Sequence, residues 1–347
     1  VYLSPWDRNH KDYARSEYIT YYRNQLRELL TGYGPIHEVW LDGANGGKGY
    51  YGGAKEDRKI DRRTYYDWPN TWQIVRELQP DACIFSDCGP DIRYVGNERG
   101  MAGETCWATL NREDFAPGAA DNKRLNSGDR PGTHWVPADC DVSIRPGWFY
   151  HATEDDNVRS PENLVTLYFA SIGRGAGLLL NLPPDRRGRI HENDIQSLRG
   201  FRRLLDETFA TDFASGAHIS ASNVRGGNAA FAPKNLLDNN SKTYWATDDQ
   251  LTAASVELTL SKPSTFNVVM LQEYIPLGQR ITAFTVEAFI NNEWQKIGEA
   301  TSIGHKRLLR TTPATTDRVR IIITGAAACP TLSTLGLYFC PVEFTEK

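Results

Sequence analysis

Apolar and polar positions follow two rhythms along this chain, and the change from one to the other falls near residue 214. In residues 14–31, Tyr18, Tyr22, Leu26 and Leu29 recur at helical spacing, and Gly32 and Gly34 end the pattern. The apolar run 36–41 predicts a buried strand, 64–78 a second helix ended by Gln79-Pro80, and 82–85 a further strand. Farther on, 161–172 reads as a helix, GLLLNL at 177–182 as a buried strand and 192–209 as a final helix. Successive strand–helix units with nearly continuous apolar strands predict a parallel sheet. From Phe213 the sequence turns small and polar (FASGAHISASNVRGGNAA), then breaks into short β-rich runs at 255–260, 267–271, 283–289, 318–323 and 335–339. Alternating runs separated by turn residues predict a β-sandwich. The expected organisation is α/β plus all-β, with one domain over 1–214 and a second over 215–347. Four or five strand–helix units can be counted, so an eight-stranded barrel would have its first strands upstream of Val1. The opening VYLSPW has neither an initiator Met nor a leader, which reads as a fragment or processed product whose compartment its start does not reveal.

Composition narrows the chemistry. A net charge of −4 with scattered Lys and Arg offers no basic stripe for a nucleic acid. No run of 18 or more apolar residues is present, so no spanning segment is expected. Nine Trp and sixteen Tyr, dense in the first 150 residues, exceed what a core of this size needs. Aromatic rings suit the apolar faces of sugars, although buried packing is their commoner use. The six Cys contain no CxxC pair; Cys329 and Cys340 are a candidate pair, and the others read as packed thiols.

Candidate sites follow from strand ends. The strand Val39-Trp40-Leu41 ends on Asp42 and then on glycines, where an Asp either caps the turn or faces a site. In a parallel barrel the site lies at the carboxyl ends of the strands, where Asp42, Asp87 and Asn181 fall. Gly47–Gly52 matches GxGxxG but begins five residues after the strand, carries two Tyr and opens no helix, so a dinucleotide cradle is excluded. No GxSxG, HExxH or GxxxxGK[ST] occurs. Carboxylate chemistry remains: retaining glycoside hydrolysis needs two carboxyl groups about 5–5.5 Å apart. Asp42 and a carboxylate of the bent loop SDCGPDIRYVGNE are candidates, and spacing leaves Glu98 and Glu104 both open as the partner.

The runs YLSPWDRNHKDY, YGPIHEVWLDGANGG, SDCGPDIRYVGNERG, SIRPGWFYH and GRGAGLLLNLPPDRRGRIH, in this order, resemble the α-L-fucosidases of glycoside hydrolase family 29. They are most similar to the subgroup that cleaves α-1,3/4-linked fucose from Lewis-type glycans. The resemblance covers essentially residues 1–212 and implies a (β/α)8-like TIM barrel, here incomplete at its N-terminus, followed by β-sandwich material. It implies a retaining mechanism with Asp42 as nucleophile, and Glu98, in VGNE, as acid/base in preference to Glu104. It also makes His10, with Trp6 and Asp7 beside it, a ligand of sugar hydroxyls, and Trp148 a platform for the apolar edge of fucose. Asp139 and Arg145 are further candidates, for which a structural ion pair is an equal explanation. The second domain, through NLLDNNSKTYWATDD, resembles the coagulation factor 5/8 type C, or discoidin-like, modules. Such modules often hold a structural calcium, with Asp238 and Thr243 as the implied ligands, although ordinary turns look the same. Trp245 is expected in the core. No cofactor is expected for catalysis, and the partners expected are a fucosylated glycan and the upstream segment of the barrel itself. The expected setting is periplasmic or secreted. A glycan-binding protein on a glycosidase fold, and another retaining exo-glycosidase, are the alternatives.

Overall fold

A computed structural model describes residues 1–44, 46–118 and 121–343. They form two compact units, Val1–Asn97 with Ala108–Asp139, and Glu98–Trp107 with Cys140–Lys347. The division falls inside the α/β part rather than near residue 214. No helix among the described residues is long and apolar enough to cross a membrane.

In the first unit, α1 (Ser16–Gly32) buries Tyr18, Ile19, Tyr22, Leu26 and Leu30 along one stripe. Its end is closed by Gln79, whose Nε2 donates to the Leu30 and Gly34 carbonyls at 2.7 and 3.0 Å. The same side chain accepts the Ile36 N–H at 3.0 Å, which aims the chain into β1 (Glu38–Trp40). A hairpin follows, β2 (Gly47–Tyr51) against β3 (Glu56–Ile60), where Gly47 pairs with Ile60. The GxGxxG match is therefore strand and turn, where the sequence suggested an aromatic flexible loop. Then come α2 (Trp68–Leu78), β4 (Cys83–Ser86), β5 (Ile92–Tyr94), β6 (Thr109–Leu110), α3 (Asn122–Ser127), β7 (His134–Trp135) and the start of β8 (Ala138–Ser143). β1, β4, β5 and β8 are parallel neighbours in that order, with Trp40 beside Phe85, Phe85 beside Ile92 and Arg93 beside Ala138. Neighbours in sequence order are the pattern of a barrel wall.

β5 and β8 were not legible in the sequence. β5 has three residues, within reach of no periodicity. β8, ADCDVS, alternates apolar and polar, which ordinarily means one wet face, yet all six residues are buried.

In the second unit the rest of β8 lies next to β9 (Gly177–Asn181), with α4 (Pro161–Ala170) and α5 (Glu192–Phe209). Val142 of β8 packs on Leu164 and Leu167 of α4. The all-β part contains β10 (His218–Ala221), β11 (Trp245–Ala246), β12 (Ala254–Glu273), β13 (Ile281–Ile290), β14 (Glu293–Ala300), β15 (Arg307–Ala326) and β16 (Thr331–Tyr338). β12 and β15 are twenty residues each, and their pairing shifts register between Thr259 and Ser264 and between Phe266 and Val268. Before the shifts β12 pairs with β10; after them it pairs with β16. Such bulges let one strand serve two layers. Both sets of neighbours contribute to a single core that includes Trp245, Phe266, Val269, Phe284 and Ile321. Trp245 is fully buried, its Nε1 donating to the Asn223 carbonyl at 3.0 Å.

A further core explains why the compact unit reaches back past residue 214: Val165, Phe169 and Leu204 of α4 and α5 pack with Val268, Leu308, Tyr338 and Cys340 of the β domain. The candidate Cys329–Cys340 pairing is not formed, and no disulfide occurs among the described residues. Cys340 belongs to this core, whereas Cys329 Sγ lies 3.0 Å from Arg280 Nη1 at the other core's margin.

Candidate active site

Two strand-end carboxylates stand together in the first unit. Because Trp40 pairs with Phe85, Asp42 and Asp87, each two residues farther on, leave adjacent parallel strands side by side. Residues 1–3 run along the outer edge of β1, where the Leu3 N–H donates to the Trp40 carbonyl at 3.0 Å and the Trp40 N–H to the Val1 carbonyl at 2.8 Å. That edge places the Tyr2 ring T-shaped on Trp40, at 5.0 Å between centroids. Its hydroxyl donates to Asp42 Oδ2 at 2.6 Å. Burial and the Asp42 carboxylate both raise the Tyr2 pKa, so the phenol keeps its proton and remains a donor.

Asp87 has its pKa raised, first by burial and also by the charge of Asp42. The Gly118 N–H, donating to Asp87 Oδ2 at 2.5 Å, works against that rise, as does the Arg62 charge. Gly118 has φ +80°, and a Cβ there would stand 1.5 Å from the Ala44 carbonyl oxygen. The glycine is thus required where the Asp42 and Asp87 loops meet. Gly43, at φ +79°, is covered by Trp6, whose ring lies 3.5 Å from where a Cβ would be. Trp6 is 51% exposed beside the residue that follows Asp42, with the Arg8 guanidinium over its ring at 5.5 Å from the centroid. The glycines after Asp42 therefore serve turns and close approaches, more than an open loop.

Glu98 lies in the second unit. Trp148 Nε1 donates to Glu98 Oε2 at 3.3 Å, so the ring offered as a platform is also a carboxylate partner. The Trp148 loop is held from behind by Asn181, at the end of β9, whose Nδ2 donates to the Trp148 carbonyl and to Ser143 Oγ, both at 3.0 Å. Glu104, the competing candidate, is bound by Arg307 Nη2 at 2.9 Å and by Arg174 Nη2. Two guanidinium groups commit it to an ion-pair network.

Other predicted residues have structural partners. Asp7 Oδ1 accepts the Asn9 and His10 N–H groups at 2.9 and 3.2 Å, closing an Asx turn. His10 Nδ1 accepts the Asp12 N–H at 3.2 Å, and its ring lies on Tyr21 at 4.6 Å. Arg145, 2% exposed, is paired with the fully buried Asp194, its Nε 3.1 Å from both carboxylate oxygens, and with Asp155 at 2.9 Å. Its ion pairs are thus with α5 and with the loop between β8 and α4. Asp139, 9% exposed, sits in β8 opposite Tyr94.

In the Asp238 turn, Thr243 Oγ1 donates to Asp238 Oδ2 at 2.6 Å and lies 2.9 Å from the Asn240 carbonyl oxygen. Asp238 Oδ1 accepts the Asn240 N–H at 2.8 Å. These are hard oxygens, the type calcium prefers, but fewer than the about six to eight it gathers. Among the described residues no three His, Cys, Asp or Glu side chains form a group that could hold a metal.

Sequence reasoning passed over Tyr2 and placed Asp87 at a strand end with Asp42 and Asn181 without giving it a role of its own. The signal available was positional, since both flank Asp42 once β1 and β4 are aligned.

Comparison with known proteins places this geometry. The α-L-fucosidase family model matches residues 1–207, and that of the F5/8 type C domain residues 218–333. Alpha-L-fucosidase 1 of Arabidopsis thaliana is 39% identical over 344 residues, which cover 97% of this chain and 65% of that protein. The chain spans a little under two thirds of the length of the curated relatives it matches. The crystal structure of SpGH29 superposes with a TM-score of 0.88 at 38% identity, over 98% of this chain and 73% of that one. A Ruminococcus gnavus GH29 fucosidase, solved in complex with fucose, gives 0.83 at 29% identity, over 98% of this chain and 71% of that one. With Asp42 at the end of a parallel strand and a β-rich module following in sequence, this chain belongs to the α-L-fucosidase family, glycoside hydrolase family 29.

Proposed function

We propose that this chain carries the catalytic machinery of an exo-acting, retaining α-L-fucosidase that removes α-1,3/4-linked fucose from Lewis-type glycans. The observation that carries the reading is Asp42, at the end of a parallel barrel strand, with one carboxylate oxygen engaged by the Tyr2 hydroxyl at 2.6 Å. Asp42 attacks the anomeric carbon while Glu98 gives its proton to the departing glycosidic oxygen. The bond to the leaving sugar breaks and a fucosyl–Asp42 ester forms. Glu98, now ionised, takes a proton from water, which attacks the same carbon and releases Asp42. Two inversions give net retention. Tyr2 holds Oδ2 and leaves Oδ1 as the attacking atom. Trp6, half exposed beside Gly43, is the stacking surface this reading favours in the first unit, a sugar taking the place of the Arg8 guanidinium over its ring. The glycan substrate implies a periplasmic or secreted setting as part of the same proposal.

The test is fucose release from a Lewis-type trisaccharide by the full-length protein, followed by NMR. Release as the α-anomer, lost in Asp42→Ala and Glu98→Ala, with azide turning an aryl fucoside into α-fucosyl azide in the Glu98 variant and into β-fucosyl azide in the Asp42 variant, supports both roles. Azide rescue in Asp87→Ala instead would transfer the acid/base role to Asp87, which its raised pKa makes the specific competitor. Binding without release by the full-length protein would favour a glycan-binding protein. Calcium at the Asp238–Thr243 turn is proposed separately. A rise in melting temperature with calcium, absent in Asp238→Ala and with magnesium, supports it; no rise rejects it.

A further inference from the structure

The segment 98–107 contains no helix or strand, so its own backbone does not fix its course. What fixes it is a grip from two sides. At its start, a Cβ on Gly100 would stand 2.8 Å from Val142 Cγ1, and the Ala102 N–H donates to the Ala170 carbonyl at 2.9 Å. Arg174 Nη1 donates to the Ala102 carbonyl at 2.7 Å.

The other side is the β domain. Arg307, 4% exposed, donates through Nη1 to the Glu104 carbonyl at 2.7 Å and through Nη2 to the Glu104 carboxylate at 2.9 Å. The Thr105 and Thr301 hydroxyls meet at 2.7 Å, and the Cys106 N–H donates to Ser302 Oγ at 3.0 Å. Gln279 Nε2 donates to the Cys106 carbonyl at 2.9 Å. The two loops that supply these groups are joined by Glu273, 2% exposed, which accepts the Arg280, Ile281 and Gly304 N–H groups at 2.6, 2.9 and 2.8 Å.

We propose that the C-terminal β domain is a working part of the catalytic site: through Arg307, Thr301, Ser302 and Gln279 it sets the position of the segment that carries Glu98. This rests on the reading of Glu98 as acid/base. Arg307 is the principal positioning residue, because it holds both the backbone and the side chain of Glu104 from a buried site. An acid must lie within hydrogen-bond reach of the leaving oxygen, and a misplacement of about 1 Å costs on the order of 100-fold. The barrel side holds the same segment through Trp148 on Glu98, the Gly100 and Ala102 contacts and Arg174 on Glu104, and the β domain adds the grip on residues 104–106, so loosening that grip lets Glu98 shift without removing it.

The test compares kcat/KM, which reports the fucosyl-transfer step alone, for fucosyl fluoride and for a Lewis-type trisaccharide. Fluoride departs without a proton; the sugar does not. Arg307→Ala and the milder Thr301→Val, in the full-length protein, are expected to lose about 10- to 100-fold and about 3- to 10-fold on the trisaccharide, with less than threefold change on the fluoride. Arg307→Lys restores part of the loss. Equal losses on both substrates, or none on either, would overturn the proposal, since a partly unfolded enzyme loses both alike. Glu98→Ala is the control that separates the two readings. If it shows no selective loss on the trisaccharide, the acid/base assignment fails; if it does and the Arg307 and Thr301 variants do not, the positioning role alone fails.

Discussion

The Tyr2 hydroxyl donates a 2.6 Å hydrogen bond to Asp42 Oδ2, joining residues 1–3 to the carboxylate that follows β1. A hydrogen bond to a charged group contributes about 1.5–3 kcal/mol. Tyr2→Phe is expected to lower kcat/KM on an aryl fucoside by about 10- to 100-fold while leaving the melting temperature within about 2 °C. Unchanged kinetics would show that Asp42 is oriented without it.

Gly118 is expected to tolerate no side chain. Its φ of +80° and the 1.5 Å separation between an added Cβ and the Ala44 carbonyl oxygen force backbone movement. Gly118→Ala should cost at least about 2 kcal/mol in urea denaturation and should depress kcat with it, because the moved backbone also carries the N–H that Asp87 accepts. A variant of parental stability and activity would refute the close approach.

The buried Arg145–Asp194 pair is expected to be structural. Removing one partner leaves the other charge uncompensated, so Asp194→Ala should destabilise by about 3–5 kcal/mol. Where the variant still folds, its KM for a fucoside should match the parent. A raised KM in a protein of normal stability would return Arg145 to the substrate site.

Glu273 predicts a pH dependence of stability. Burial raises its pKa from 4.5 to about 7 in the folded protein, against the pull of three backbone N–H groups. Between those values the folded state holds a proton that the unfolded state has released. The stabilisation is therefore complete below about pH 4.5 and is lost as pH rises towards 7, by on the order of 3 kcal/mol. Urea midpoints for the parent should fall across that window, and Glu273→Gln should flatten the slope. An identical slope in both proteins would assign the effect elsewhere.

Most regular elements were legible because each has a periodicity of its own. The stripe Tyr18, Tyr22, Leu26 made α1 readable, and the apolar runs ending in Asp42 and Ser86 made β1 and β4 readable. The Asp42 turn was ambiguous from residues alone, and only motif resemblance chose between a cap and a site. β8 was missed because its polar residues are buried, and no local rule distinguishes them from residues facing water.

By itself, then, the sequence determined the strands β1, β4 and β9 and the helices α1, α2, α4 and α5 in their order, the passage to an all-β module, the strand-end position of Asp42 and the family motifs. These are local quantities, carried by neighbours within a few residues. Tertiary structure alone decided which carboxylates are free to act. Asp42 meets Tyr2, forty residues away, while Glu104 is held by Arg307, about two hundred residues on. It also decided that Cys329 and Cys340 stay apart and that α4 and α5 share a core with the β domain. Those outcomes depend on contacts between residues distant in sequence, whose partners no spacing along the chain identifies.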